Sequence, residues 1–234
     1  MCQDCGCGDV NLVPLDVQKR ILARNEDVAG HNRQHFLDRG IFAINLMGSP
    51  GSGKTAVLEA TAGAFDGGGK LAALAGDLAT ENDSNRLLQA GIRSRAITTG
   101  QACHLDAELV HHELHHLELA GVEYLFIENV GNLVCPAVYD LGQAMNVVAL
   151  SVTEGEDKPL KYPTMFAKAD LVLLTKVDLL PHLGVSVDAI LDSLARAMPV
   201  PNVIALSARE GFGVDDWLGW LKRSRAAAFQ EVMA

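Results

Sequence analysis

Gly48-Ser49-Pro50-Gly51-Ser52-Gly53-Lys54-Thr55 is the stretch that decides the fold. Its glycines, lysine and terminal hydroxyl stand at every defined position of a phosphate-binding loop. The apolar run 41–47 before it reads as a strand, and 54–64 after it as a helix. In that setting glycines let backbone N–H groups turn toward an anion with no Cβ in the way, and the helix N-terminus adds partial positive charge. Gly48, Gly51, Ser52 and Gly53 would then cradle phosphates. Lys54 would reach the β- and γ-phosphates and the Thr55 hydroxyl would bind Mg²⁺, giving both a catalytic role.

Working outward, short apolar runs alternate with helical patterns. Strands are expected at 41–47, 71–75, 95–98, 124–127, 147–152, 171–175 and 203–206, and helices at 54–64, 82–90, 106–119, 187–197 and 215–227. This alternation predicts an α/β fold: a mostly parallel seven-stranded sheet covered by helices on both faces. Ahead of it, 16 to about 39 reads as a helix with Asp16 as its N-cap, Val17, Ile21, Leu22, Val28 and Phe36 inward, and the charges between them in water. Three segments follow: a polar tail at 1–10, a helical segment at 11–40 and a phosphate-loop domain at 41–234.

Composition narrows the function classes. At 49% hydrophobic and 21% charged, the 234 residues suit a soluble domain with a sizeable core. A net charge of -10 argues against nucleic acid as a partner. No apolar run reaches the length of a membrane span, and the N-terminus lacks the pattern of a secretory signal. Five cysteines are an odd number without the spacing of a disulfide framework, so a cytoplasmic location is expected.

Further acids complete the nucleotide reading. Glu128 ends the run Tyr124-Leu125-Phe126-Ile127, where it would supply a catalytic, Mg²⁺-binding acid beside the phosphate loop, and opens an acid–x–x–Gly element in which the Gly131 N–H would contact the γ-phosphate. Asp77, at the end of another strand, either holds a metal-bound water or orients the attacking water, or is simply a turn or cap residue. Thr175-Lys176-Val177-Asp178 supplies base selectivity, because the Asp178 carboxylate can accept both N1–H and the 2-amino group of guanine. The Lys176 stem would stack along the base, and Ser207-Ala208-Arg209 would close over it. GTP and GDP are therefore the expected nucleotides.

Cysteine usage points to a second chemistry. Cys2, Cys5 and Cys7 crowd a terminus with no core to pack into, and soft thiolates select zinc, copper(I) or nickel. With the α-amine that trimming of Met1 would expose on Cys2, they make four donors suited to Ni²⁺. Cys103, His104 and Cys135 follow C-terminal strand ends, where open α/β sheets gather ligands. They read either as three soft ligands, shared across a two-fold axis, or as two unrelated cysteines. His111/His115 and His112/His116 are pairs four apart on one helix, for which a solvated face is the preferred reading.

Taken together, Cys-x-x-Cys-Gly-Cys, the phosphate loop, Gly76-Asp77, Gly100-Gln-Ala-Cys-His-Leu-Asp106, Phe126-Ile-Glu-Asn-Val-Gly-Asn-Leu-Val-Cys-Pro136 and the run 151–163 resemble the HypB family of [NiFe]-hydrogenase maturation. The resemblance covers essentially the whole chain. It implies a GTPase of the signal-recognition-like class that dimerises with nucleotide and helps deliver nickel to the hydrogenase large subunit beside a partner nickel/zinc chaperone; no arginine finger can be assigned, so slow turnover is expected. It further implies that Cys103, His104 and Cys135 form a nickel or zinc site at the dimer interface, and that Cys2, Cys5 and Cys7 form a tighter nickel site. Nucleotide-ordered loops after Asp77 and Gly131 would then move the inner ligands. Thr175 replaces the family's usual Asn, and the histidine-rich N-terminal stretch of many members is lacking. Two rivals are a nickel store with structural nucleotide and a urease-type GTPase. The latter carries Cys-Pro-His where this chain has Cys135-Pro136-Ala137.

Overall fold

A computed structural model describes residues 15–65, 69–77, 81–100, 102 and 104–233. In chain order the elements are α1 (Leu15–Asp38), β1 (Phe42–Gly48), α2 (Lys54–Ala64), β2 (Leu71–Asp77), α3 (Asn82–Gln89), β3 (Arg93–Thr98), α4 (Ala107–Leu114) and β4 (Tyr124–Glu128). Then come β5 (Met145–Ser151), α5 (Lys158–Lys161), α6 (Pro163–Ala167), β6 (Leu171–Thr175), α7 (Val187–Ala197), β7 (Val203–Leu206) and α8 (Val214–Met233). The seven strands form one sheet in the order β3-β2-β4-β1-β5-β6-β7, and every pairing is parallel.

Alternate strand residues serve opposite faces, as the two-residue period requires. Phe42, Ile44 and Leu46 of β1 pack with Val57 and Leu58 of α2 and Trp217 and Leu221 of α8. Ala43 joins the opposite layer with Phe36 of α1 and Val110 of α4, while Met47 packs with the cluster of Met165, Ile190 and Leu194. Trp217 is buried, and its Nε1–H donates to Thr61 Oγ1 at 2.9 Å, so its one polar atom is satisfied. The sequence reading of a helix-covered parallel sheet holds.

Some local expectations do not. Helix α1 already includes Leu15, so Asp16 lies inside it rather than capping it. Its buried face is Asn25, Ala29, Asn32 and Phe36, whereas Val17 and Ile21 stand 42% and 47% exposed. The asparagines are buried because they bond to backbone. Asn25 Oδ1 accepts from Ala107 N at 2.9 Å, and Asn32 Nδ2 donates to the carbonyls of Ala107 and Leu141 at 2.9 and 3.2 Å. Helix α4 also stops at Leu114, short of the expected 119, and α5 and α6 occupy a stretch read as helix-free.

Chain order reverses around β1. It runs from β1 outward to β2 and β3, back to β4 beside β1, then to β5 on β1's other side. Loops leaving β1 and β4 therefore diverge around one crevice at the C-terminal sheet edge, the ligand site of open α/β sheets.

Candidate functional site

The phosphate loop fills that crevice. Gly51 and Gly53 adopt φ of 73° and 94°, the left-handed region that side chains resist. A Cβ on Gly48 would lie 2.4 Å from the Ala149 carbonyl oxygen, so the loop packs directly on β5. Lys54 is buried, with Nζ donating to the carbonyls of Gly48 and Ser49 at 3.4 and 3.3 Å. Burial pushes its ammonium below the usual lysine range, while Glu128, Asp83 and Glu154 pull it back up. Ser52 Oγ is buried with no hydrogen-bond partner among the described residues. Ser49 Oγ donates to Glu154 Oε2 at 2.5 Å, tying the loop to the turn after β5.

Beside it stands an all-oxygen cluster. Thr55 Oγ1 lies 2.8 Å from Glu128 Oε1 and 2.9 Å from Asp83 Oδ1. One hydroxyl has one proton, so it cannot donate to both carboxylates. Glu128 is 3% exposed, and its Oε2 meets no hydrogen-bond partner among the described residues. Burial pushes its carboxyl up to about 7, against the pull of Lys54 and of the Thr55 hydrogen bond. A proton on Glu128 resolves the conflict, donating to Thr55, which then donates to Asp83. A hard divalent cation among the same oxygens resolves it equally.

Asp83 is the acid that sequence reasoning missed; Arg86 pairs with it at 3.4 Å and with Glu59 at 2.7 Å. Asp77 ends β2, level with Thr98 of β3 and two residues beyond Ala75, the register partner of Glu128. It shares the sheet edge, but Asp83 is the acid placed on Thr55. Gly131 sits against the loop, since a Cβ there would come within 2.9 Å of Pro50.

The segment expected to select the base also converges. Thr175 Oγ1 donates to Ser52 O at 2.6 Å, so the departure from Asn still ties this strand end to the phosphate loop. Lys176 takes φ 59°, and its Nζ donates to Gly51 O at 2.6 Å. Ser207 Oγ donates to Asp178 Oδ1 at 2.7 Å, holding the carboxylate in a cleft of about 410 Å³ that Phe212 also lines. Ala208 follows Ser207 and packs against the core around α2 and α8. Phe212, 60% exposed, offers an apolar face that carried no sequence signal.

Of the cysteine ligands, Cys2, Cys5, Cys7 and Cys103 lie outside the described residues. His104 and Cys135 are both buried. His104 stacks on Tyr139, ring centroids 4.0 Å apart, and Tyr139 follows Cys135 by four residues. Burial lowers the His104 pKa, opposed by Asp106, favouring the neutral imidazole that ligates metals. Among the described residues no three His, Cys, Asp or Glu side chains converge on one metal position. One side chain bridges the two chemistries. Asn129 Oδ1 accepts from Leu105 N at 3.2 Å and Val130 N at 3.0 Å, and its Nδ2 donates to Asn45 Oδ1 at 3.1 Å. The segment after His104 is thereby pinned to the element between Glu128 and Gly131.

Residues 42–203 match the CobW/HypB/UreG nucleotide-binding domain. The Hydrogenase maturation factor HypB of Azotobacter vinelandii is 48% identical over 211 residues, covering 90% of this chain and 70% of its own. The chain belongs to the HypB family. A crystal structure of HypB from Helicobacter pylori in complex with nickel superposes with a TM-score of 0.84 at 38% identity, over 88% of this chain and 97% of that one. The signal-recognition-like fold is shared more distantly. The cell division protein FtsY of Thermotoga maritima matches at TM-score 0.50 and 18% identity, over 86% of this chain and 78% of that one. In this HypB-family fold the nucleotide machinery and His104–Cys135 occupy one sheet edge, joined by Asn129.

Proposed function

We propose that the chain is a GTP-hydrolysing nickel metallochaperone of hydrogenase maturation whose nucleotide state sets its hold on nickel. The observation that carries this reading is Asn129. It hydrogen-bonds both to the backbone beside His104 and to the backbone leading to Gly131. A shift of the Glu128–Gly131 element on meeting a γ-phosphate then cannot leave His104 in place. By linkage, metal held at Cys103, His104 and Cys135 would shift nucleotide affinity by the same factor. Similarity over 88% of this chain to a HypB crystallised with nickel supports nickel as cargo.

In this proposal the loop amides of Gly48 to Thr55 bind the phosphates and Lys54 neutralises developing charge on the transferred group. Asp178, Lys176, Ser207 and Ala208 select guanine. The oxygen set of Thr55, Glu128 and Asp83 fits Mg²⁺, as the orphaned Glu128 oxygen and the doubly claimed Thr55 proton attest. Bound there, Mg²⁺ would supply charge neutralisation for the phosphates. Asp77 remains the candidate to orient water. No arginine is assigned to the γ-phosphate, so turnover is slow.

Val134 and Val138 stand 55% and 43% exposed on either side of buried Cys135, a surface suited to a nucleotide-bound homodimer with a nickel or zinc site between the copies. Cys2, Cys5 and Cys7 would hold nickel more tightly, and the partners are a nickel/zinc chaperone and the hydrogenase large subunit, in the cytoplasm. Among the described residues no helix is long and apolar enough to cross a membrane. The test is Lys54→Ala. It should abolish GTP hydrolysis while tight nickel binding persists, and unchanged hydrolysis would sink the assignment.

A further inference from the structure

His111 and His115 meet at the C-terminal end of α4, where His115 is the residue after Leu114. Their Nε2 atoms are 3.3 Å apart, and the rings lie edge to face. Two nitrogens bound to one tetrahedral cation at about 2.05 Å each stand about 3.3 Å from one another. The pair therefore already has the bite of a chelate.

His111 is also held in the ligating tautomer. Asn32 Nδ2 donates to two carbonyls, which fixes Oδ1 as the atom facing His111 Nδ1 at 2.9 Å. Nδ1 must then carry the proton, leaving the Nε2 lone pair directed at His115. Metal-bound histidines characteristically use their second ring nitrogen as a donor in this way. Electrostatics agree, because the partial negative charge of a helix C-terminus favours a cation. His115 lines a cleft of about 730 Å³ that His35 of α1 also lines. The Nε2 of His35 is buried, with no hydrogen-bond partner among the described residues. The adjacent pair, His112 and His116, has rings 5.1 Å apart, and His112 Nδ1 faces Glu113 instead.

We propose that His111 and His115 form a two-histidine site for a borderline divalent cation, Ni²⁺ or Zn²⁺, separate from the thiol ligands and completed by water. In the metal-free chain a proton on His115 Nε2, donated to His111 Nε2, occupies the gap. The cation replaces it: Nε2 gives up that proton to solvent while Nδ1 takes one up from solvent, so His115 remains neutral as the Nδ1–H tautomer with no net proton released.

The test uses the full reduced chain, its thiol sites first saturated with Zn²⁺. Further Zn²⁺ is titrated while long-range ¹H–¹⁵N imidazole spectra are recorded, and Ni²⁺ stoichiometry is measured by equilibrium dialysis. The Nε2 signals of His111 and His115 should shift together. His115→Ala, at an exposed position, should abolish the His111 shift and remove one Ni²⁺ equivalent. The double variant His112→Ala with His116→Ala should leave both intact. Unshifted His111 and His115 signals at millimolar Zn²⁺, or loss of the equivalent from the His112/His116 variant instead, would overturn the site.

Discussion

Glu128→Gln isolates the buried acid beside Thr55. The Glu128 carboxyl goes from an ordinary 4.5 to about 7, chiefly through burial. For an acid raised on folding, the protonated form is the one the fold favours. Stability is therefore highest below the unfolded value and is lost as pH rises toward the folded one. The whole interval is worth about 3 kcal/mol, and linkage places about 2 kcal/mol of it between about pH 5.5 and about pH 8. Glutamine offers Thr55 an N–H donor in place of the protonated carboxyl but cannot ionise. Urea unfolding of both proteins, without nucleotide or divalent metal, should show the wild type losing about 2 kcal/mol relative to the variant across that range. The comparison cancels every other titrating group and any pH-independent cost of the amide. Parallel pH profiles would mean that Glu128 is ionised throughout, and the argument from the doubly claimed Thr55 proton would fall.

Two other changes probe the arms of the account. Asn129→Ala strands the buried Leu105 N–H and the Asn45 carbonyl. It should cost about 3 kcal/mol by denaturant unfolding and uncouple nickel affinity from nucleotide, whereas unimpaired coupling would remove Asn129 as the link. Asp178→Asn replaces an acceptor of the guanine N–H groups with a donor. It should weaken GTP about a hundredfold or more in a fluorescent-nucleotide displacement assay while improving xanthine nucleotides, whose C2 bears a carbonyl. Unchanged GTP affinity would move base selection elsewhere.

The candidate nucleotide site was legible because its residues are contiguous and lie at strand ends. The glycines that need positive φ, the lysine and hydroxyl that follow them, Glu128 and Asp178 all occur in short runs whose spacing is set by backbone geometry. What escaped depends on packing between distant elements. Asp83 reaches Thr55 only because α3 lies against α2, with Arg86 bonded to Glu59. On α1 the hydrophobic pattern misled, since Asn25 and Asn32 are buried to bond the start of α4 whereas Val17 and Ile21 face water. Asn129 stood within a quoted motif, yet its two backbone partners, Leu105 and Val130, lie in separate loops, a relation no local spacing encodes. Strand order was equally hidden, because parallel strands joined by helices look alike whichever neighbour they choose.

The central claim is that nucleotide state sets the grip on nickel. Its most direct test is a competitive nickel titration of the reduced chain without nucleotide, with Mg-GDP and with a non-hydrolysable Mg-GTP analogue. The account predicts a tight site indifferent to nucleotide and a weaker one whose affinity moves between the GDP and GTP-analogue states. Identical affinities in all three conditions would contradict it and leave a nickel store that merely carries GTP.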